Sequence, residues 1–173
     1  LPAKDAACEP AFDHHPDLPH WREGECDFTL LAGSYGSRKA PSKLYSPLVG
    51  MDLNSVKTGD ITLNLNPEFE YGFLVVQGTV GIQAEQFQTN ELAYVGRGLN
   101  QLTLSLSAGC RIIVLGGEPY TDDLVLWWNF VGENQYVIGQ AQRDWRAAHA
   151  RFGVVQGYDG DPLLAPDLPW ETN

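Results

Sequence analysis

Short apolar segments alternate with turn residues along most of the first two thirds of this chain, and this pattern limits the fold more than any other feature. A strand with one buried face places an apolar side chain at every second position. The clearest examples are the two series Ile61, Leu63, Leu65 and Leu102, Leu104, Leu106. Strands this short and this frequent predict an all-β antiparallel barrel or jelly-roll sandwich.

Four further apolar segments complete the predicted strands. Residues 28–32 form one candidate strand, and residues 111–115 follow a turn at Ala108-Gly109 as another. Residues 73–76 and 80–82 flank Gly78, which is typical of a β-hairpin. The segment from Phe28 to Leu115 therefore predicts one compact antiparallel domain.

The pattern changes after Gly116-Gly117. Residues 124–131 predict a single apolar strand that contains Trp127 and Trp128. Residues 133–150 have helical spacing, and they place Val137, Ala141 and Trp145 on one face: the sequence therefore predicts one C-terminal α-helix. The Gly/Pro-rich segment from Gly153 to the end predicts an extended tail whose Leu and Trp side chains, including Trp170, dock on another surface.

The first 26 residues contain many prolines, acidic residues and histidines and show neither the strand nor the helix period. We interpret residues 1–26 as a connector, residues 27–118 as the barrel, and residues 119–173 as a strand, a helix and a docking tail. The chain opens at Leu1 rather than at Met, so we interpret it as a piece of a longer protein.

Charge and cysteine usage exclude several classes of function. The formal net charge is −11 and there is no basic run, so a nucleic-acid phosphate backbone would be repelled. The three cysteines are odd in number and lack CxxC spacing, which favours reduced thiols over a disulfide framework.

No apolar run reaches the ~18 residues of a membrane span, and no signal peptide is evident. The sequence therefore predicts a cytoplasmic protein that does not bind a membrane.

The spacing of Gly59 and Gly78 resembles the signature of the cupins, a family of metal-binding β-barrels. In that signature two histidines and a glutamate lie between the glycines, and a third histidine follows in a second motif. The corresponding positions here are Leu65, Pro67, Tyr71 and Ile112. Leucine, proline and isoleucine cannot ligate a metal and a phenol rarely does. We therefore expect a barrel with no metal site and no cofactor of its own.

Two segments closely resemble the pirin family, a group of proteins with two stacked cupin barrels: residues 115–119 (LGGEP) and 127–132 (WWNFVG). Residues 143–145, 151–153, 157–160 and 165–169 continue the resemblance, and the N-terminal residues resemble the start of the connector between the barrels. The resemblance implies the C-terminal half of a pirin-like protein. In that family iron or a similar divalent metal is bound by the N-terminal barrel, and some members oxidise quercetin.

Several other side chains have a functional interpretation and a simpler structural one. We expect Trp127 and Trp128 to pack in the core or at an interface, although with Tyr71, Trp145 and Trp170 they are also candidates for a pocket or interface. Solvated side chains are the simpler account of the histidines at 14, 15 and 20 and of the glutamates at 68 and 70. Cys110 adjoins Arg111, which could activate a thiol, but a buried inert thiol is the favoured interpretation.

Three functions remain open from the sequence. The leading hypothesis is a structural or interaction lobe that supports a metal-bearing N-terminal cupin lobe of the same protein, with a further protein partner or a homo-oligomer also open. The second is a contribution to a quercetin 2,3-dioxygenase, so this chain alone is not expected to be an enzyme. The third is a small-ligand-binding cupin that works without metal, for which a pocket between Tyr71 and Ile112 would be favourable.

Overall fold

The computed structural model describes Asp5, Cys8, Glu9 and residues 11–121 and 123–171. The chain divides between Pro119 and Tyr120 into two compact units. None of the helices in the described ranges is long and apolar enough to cross a membrane.

The first unit is built from antiparallel strands in two sheets. The larger sheet has the order β1-β2-β4-β11-β6-β9, with β3 paired to β2, and the smaller has the order β5-β10-β7-β8. The strands are β1 (His20–Glu23), β2 (Cys26–Tyr35), β3 (Arg38–Lys39), β4 (Leu48–Ser55), β5 (Gly59–Asn64), β6 (Glu70–Gln77), β7 (Thr79–Ile82), β8 (Glu85–Gln88), β9 (Leu92–Val95), β10 (Gln101–Leu106) and β11 (Arg111–Gly117). The predicted all-β antiparallel sandwich is confirmed.

One hydrophobic core lies between the two sheets. Leu102, Leu104 and Leu106 of β10 are buried and alternate with exposed polar residues, as the sequence predicts. Both sheets contribute fully buried side chains, for example Phe73 of β6 and Leu104 of β10, each 0% exposed. The alternation therefore places apolar side chains from both sheets in one buried core, and their burial accounts for much of the stability of this unit.

The hairpin expected around Gly78 is not formed. Strand β6 pairs with β9 and β11, whereas β7 pairs with β8 and β10 of the other sheet. Gly78, with φ +78°, is the point where the chain crosses between the sheets. A Cβ there would lie 2.7 Å from Ser107 Oγ and 2.9 Å from Cys110 Cα. Glycine at this position thus permits a close crossing rather than a two-residue turn.

The second unit consists of a hairpin, a helix, a short 3₁₀ turn and the tail. The single strand expected over 124–131 is instead the hairpin of β12 (Val125–Trp127) and β13 (Phe130–Gly132). The prediction was wrong because Trp128 adopts φ +53°, a left-handed conformation that reverses the chain within the apolar run. Apolar composition alone gave no sign of this turn.

Helix α1 spans Gln135–Arg146, shorter than the expected 133–150. It begins after Asn134, whose side-chain oxygen accepts a hydrogen bond from Val137 N at 3.0 Å. Its buried residues include Ile138, Ala141 and Gln142. The predicted face is therefore rotated, since Val137 is 42% exposed and Trp145 is only half-buried.

The extended tail lies along α1. Trp145 Nε1 donates to Leu163 O at 2.7 Å, and Gln142 Nε2 donates to Pro166 O at 2.9 Å. Leu168 is buried, and Arg146 forms an ion pair with Asp167 at 2.9 Å. The tail thus supplies part of the cover that α1 needs, and the prolines keep it extended.

Candidate functional site

The four residues that the sequence predicts at the ligand positions of a cupin do not form a metal site in this structure. Leu65 is 8% exposed and Ile112 is 0% exposed, and both belong to the hydrophobic core. Pro67 lies in the turn that follows β5. In residues 11–121 and 123–171, as in the few described residues before them, no three His, Cys, Asp or Glu side chains are grouped to hold a metal ion. The side chains of Leu65, Pro67 and Ile112 offer a divalent cation no lone pair to replace its water, and the phenol oxygen of Tyr71 already accepts a hydrogen bond.

Tyr71, which the sequence predicts at the position of the cupin glutamate, packs against a glycine. Gly116 of β11 pairs with Tyr71 of β6, and a Cβ on Gly116 would lie 2.4 Å from the Tyr71 ring. The Tyr71 hydroxyl accepts a hydrogen bond from Asn66 N at 2.8 Å. The absence of a side chain at Gly116, in the LGGEP segment, therefore leaves room for the Tyr71 ring.

A pocket of about 440 Å³ opens beside Tyr71, and we call it the barrel-end pocket. It is lined by residues 33–36, 44, 47–49, 64–66, 69 and 71. One of these lining residues is Tyr35, the last residue of β2, whose hydroxyl accepts a hydrogen bond from Asn64 N at 3.1 Å. Burial is the main cause that raises the pKa of both phenols, Tyr35 and Tyr71. Both therefore stay protonated at neutral pH.

A close approach of β2 and β4 shapes one wall of this pocket. Gly33 has φ +79°, and a Cβ there would lie 1.8 Å from the carbonyl oxygen of Leu48. The register of β2 against β4 shifts between Leu30 and Ala32, which marks a β-bulge just before this point. The bulge and the glycine let the end of β2 carry Tyr35 to the pocket.

The other polar candidates do not form a site. Glu68 is exposed in a turn and Glu70 is half-buried at the start of β6. Cys110 is 1% exposed, and burial, with the nearby Cys26 as a second cause, raises the pKa of its thiol. The guanidinium of Arg111 hydrogen-bonds Asp52 instead. Cys110 is therefore buried, as interpreted from the sequence, and its lack of reactivity stays a prediction.

The predicted tryptophans form two groups within the second unit. Trp127 meets Trp170 edge-on, with ring centroids 5.8 Å apart. Trp128 and Trp145 lie 6.3 Å apart, and Phe152 meets Trp145 edge-on at 5.1 Å. The buried Nε1 atoms of Trp127 and Trp170 have no hydrogen-bond partner within the described part of the chain. Tyr71, the fifth candidate, lies in the first unit and belongs to neither group.

The second group borders a concave surface of about 680 Å³, which we call the aromatic groove. Its lining residues come from the hairpin turn, the end of α1 and the segment after it: Trp128, Asn129, Phe130, Trp145, Ala148, His149, Phe152, Gly153, Val154, Val155, Tyr158, Gly160, Pro162 and Leu163. Val154 is 84% exposed and Leu163 is 78% exposed. Trp128 and Ala148 both have positive φ, a conformation that costs energy for residues other than glycine.

Sequence reasoning missed several residues of both concave surfaces. Tyr35 is the last residue of the long strand β2. A β-bulge earlier in that strand breaks the alternation of buried and exposed positions, so the alternation does not predict which way the Tyr35 side chain points. Val154 and Val155 follow no period, because the groove is built from turns rather than from regular strands. Leu163, in contrast, belongs to the tail whose leucines the sequence predicted to dock on another surface. The one available signal for the groove was the presence of apolar residues in a Gly/Pro-rich segment, which has no regular strand or helix to bury them.

The sequence is similar to a known domain family and to several known proteins. The family model described as Pirin C-terminal cupin domain matches residues 50–153. A Pseudomonas aeruginosa protein whose name gives a provisional quercetin 2,3-dioxygenase assignment is 46% identical over 100% of this chain and 55% of its own length. A pirin-like protein of Caulobacter vibrioides is 27% identical over 94% of this chain and 57% of its own length.

A solved crystal structure is similar to this chain over its whole length. The crystal structure of a quercetin 2,3-dioxygenase from Acinetobacter baumannii has a TM-score of 0.93 and 34% identity, and the match covers 100% of this chain and 58% of that chain. The cupin-like fold expected from the sequence is confirmed. The chain spans little more than half the length of these relatives.

Proposed function

The chain belongs to the pirin family, where it corresponds to the C-terminal cupin domain, and we propose that it is a metal-free lobe supporting a metal-bearing N-terminal cupin of the same protein. The single observation that carries this proposal is the filled metal site. A complete barrel is kept around positions that can no longer bind a metal.

The contacts of Tyr71 also disfavour a metal site, in addition to the unsuitable side chains at the other three positions. Its hydroxyl oxygen is already bonded to Asn66 N, and its ring lies against the backbone of Gly116. Restoring a ligand at one position would not rebuild the site, because Leu65 and Ile112 would still present hydrocarbon. Catalytic metal chemistry in the full-length protein is thus assigned to the other lobe.

The aromatic groove supports an interaction role. Val154, Val155 and Leu163 are 84%, 68% and 78% exposed, which leaves a continuous apolar surface in the second unit. Apolar patches of this kind mark interaction sites, because covering them removes apolar surface from water. The relatives extend nearly as far again as this chain does, so we assign the N-terminal lobe as the occupant.

Elemental analysis and thermal unfolding of the full-length protein test the proposal. One equivalent of a divalent transition metal is expected, and it should remain in a Tyr71→Phe variant. Leu163→Asp places a charge in the aromatic groove, so it should weaken the coupling between lobes and split or broaden the unfolding transition. Leu126→Asp is the matched control, because Leu126 is 66% exposed and lies outside the lining of the groove.

Two results would overturn this assignment. Metal bound in stoichiometric amounts by the 173-residue chain itself and retained after chelation would contradict the metal-free lobe. Equal effects of Leu163→Asp and Leu126→Asp on the unfolding transition would remove the groove as the contact with the N-terminal lobe.

The second candidate is a contribution to quercetin oxidation by the full-length protein. It is favoured by the names of the Acinetobacter baumannii structure and the Pseudomonas aeruginosa relative, at 34% and 46% identity. Oxygen uptake by the metal-loaded full-length protein with quercetin separates the two functions. Turnover that falls in Trp128→Ala while metal content stays unchanged would favour the enzymatic candidate. Full metal content without turnover would leave only the structural one.

A further inference from the structure

We propose that the barrel-end pocket binds a small uncharged ring compound with a carbonyl oxygen, which accepts hydrogen bonds from the hydroxyls of Tyr35 and Tyr71. This site goes beyond the supporting role proposed above. It lies entirely in the first unit and does not depend on the aromatic groove or on a second lobe.

The two phenols are held as hydrogen-bond donors. Asn64 N donates to the Tyr35 oxygen at 3.1 Å, and Asn66 N donates to the Tyr71 oxygen at 2.8 Å. A phenol oxygen that accepts one bond still carries a hydrogen to donate. Neither hydroxyl donates to an acceptor within the described residues. The pocket therefore presents two O–H donors that an acceptor on a ligand would satisfy.

The backbone fixes where these donors lie. Asn64 ends β5 and Asn66 follows it, so one short segment orients both phenols. Tyr71 is also confined by Gly116 on one side, where a Cβ would lie 2.4 Å from the ring. Donors held in this way lose little conformational freedom when a ligand binds, which favours affinity.

The rest of the lining decides the class of ligand. Leu44, Leu48, Val49, Leu65 and Phe69 give the pocket an apolar wall suited to a flat ring. Apart from the two phenols, no lining residue is ionisable, so a charged ligand would lose its hydration without gaining a counter-charge. The volume of about 440 Å³ lies within the range of known small-molecule sites. In a neutral ring compound with a carbonyl, the oxygen would accept hydrogen bonds from the two phenols and the ring would pack against the apolar wall.

Titration of the 173-residue chain with 4-fluoroacetophenone, followed by ¹⁹F NMR and by amide chemical shifts, tests the site. The amides of Asn64 and Asn66 donate directly to the two phenols, so they are expected to shift in a saturable way. The comparison probe is 4-fluoroethylbenzene, which has nearly the same shape but no carbonyl. It should bind about five- to tenfold more weakly, the loss expected for a hydrogen bond or two.

Single substitutions assign the preference to the phenols. Tyr35→Phe and Tyr71→Phe should each lower the ratio of the two affinities, and this ratio is measured within one variant, so a change in folding does not mimic it. Tyr136→Phe is the matched control, because Tyr136 is 76% exposed in the second unit and should leave the ratio unchanged.

Three outcomes would overturn the proposal. The first is the absence of binding up to the solubility limit of the ketone. The second is equal affinity of the two probes in the unsubstituted chain. The third is a set of shifts centred on Val154 and Val155, which would place the probe in the aromatic groove instead.

Discussion

The barrel-end pocket and the aromatic groove are both apolar concavities, but the chain builds them in different ways. The pocket lies at the end of regular strands, and the oxygens of Tyr35 and Tyr71 are hydrogen-bonded to backbone amides. The groove is built from a hairpin turn, a helix end and an extended segment, and it includes Trp128 and Ala148 in left-handed conformations.

The two units also differ in the size of the apolar core that each buries. The barrel buries one large cluster of apolar side chains between two sheets. The second unit buries a few residues, such as Ile138, Ala141 and Leu168, and leaves the indole nitrogens of Trp127 and Trp170 without hydrogen-bond partners among the described residues. The first unit also contains a buried indole nitrogen without a partner in the described part of the chain, Trp21 Nε1, and a left-handed residue, Asn90, so the contrast lies in the extent of the buried core. The following substitutions test this contrast.

Phe73→Ala should produce the largest loss of stability, because Phe73 is 0% exposed at the centre of the barrel core. Removing a buried phenyl ring leaves a cavity, and the expected cost is about 3–5 kcal/mol. Urea unfolding monitored by circular dichroism measures it. Val76→Ala in the same strand is the control, since Val76 is 39% exposed and should cost much less. Similar costs for both variants would contradict a core centred on Phe73.

Gly116→Ala should cost about 3 kcal/mol in the same assay, because the added methyl would overlap the ring of Tyr71. Gly59→Ala is the matched control, since a Cβ on Gly59 meets nothing within 4 Å. In a Tyr71→Ala background the cost of Gly116→Ala should shrink, which a double-mutant cycle detects. Additive costs would mean that Gly116 is kept for a reason other than the Tyr71 ring.

The sequence predicted the barrel well because alternation reports directly on a sheet with one buried face. Leu102, Leu104 and Leu106 lie where their spacing places them. The assignment of Leu65 and Ile112 to cupin ligand positions stays a prediction, although both side chains lie in the hydrophobic core and neither can ligate a metal. The partners of β6 and β7 could not be foreseen, because strand pairing across Gly78 depends on which sheet each strand enters.

The second unit was harder to predict because its structure depends on single backbone conformations. The reversal at Trp128 leaves no mark in an apolar run, since tryptophan is not a residue that favours positive φ. The rotation of the buried helix face follows from the tail, which covers Gln142 and leaves Val137 exposed. The pocket donor Tyr35 was missed because its contact with Asn64 joins distant strands.

Trp145→Ala should destabilise the chain by about 2 kcal/mol, less than Phe73→Ala. A fully buried tryptophan would cost about 3–5 kcal/mol, but this ring is only half-buried, although its Nε1 donates to Leu163 O at 2.7 Å. Thermal and urea unfolding of the chain measure the loss. Trp145→Phe keeps part of the ring packing and should lose less. A cost for Trp145→Ala equal to that of Phe73→Ala would show that the second unit is packed as firmly as the barrel.

Alkaline pH should give the smallest effect, and one confined to the barrel. Burial raises the pKa of Tyr35 and Tyr71, so above the ordinary tyrosine value of about 10 the unfolded chain releases phenol protons that the folded chain keeps. The unfolded state then binds fewer protons, and the free energy of unfolding falls as the pH rises through this range, whereas below it this contribution is fully present. Tyr71→Phe removes one such proton and should flatten the fall, while the exposed Tyr136→Phe serves as the control. Urea unfolding at a series of pH values measures both slopes. An unchanged slope in Tyr71→Phe would mean that the barrel-end pocket admits enough water to ionise the phenol as readily as in the unfolded chain, and would weaken the case for Tyr71 as a fixed donor.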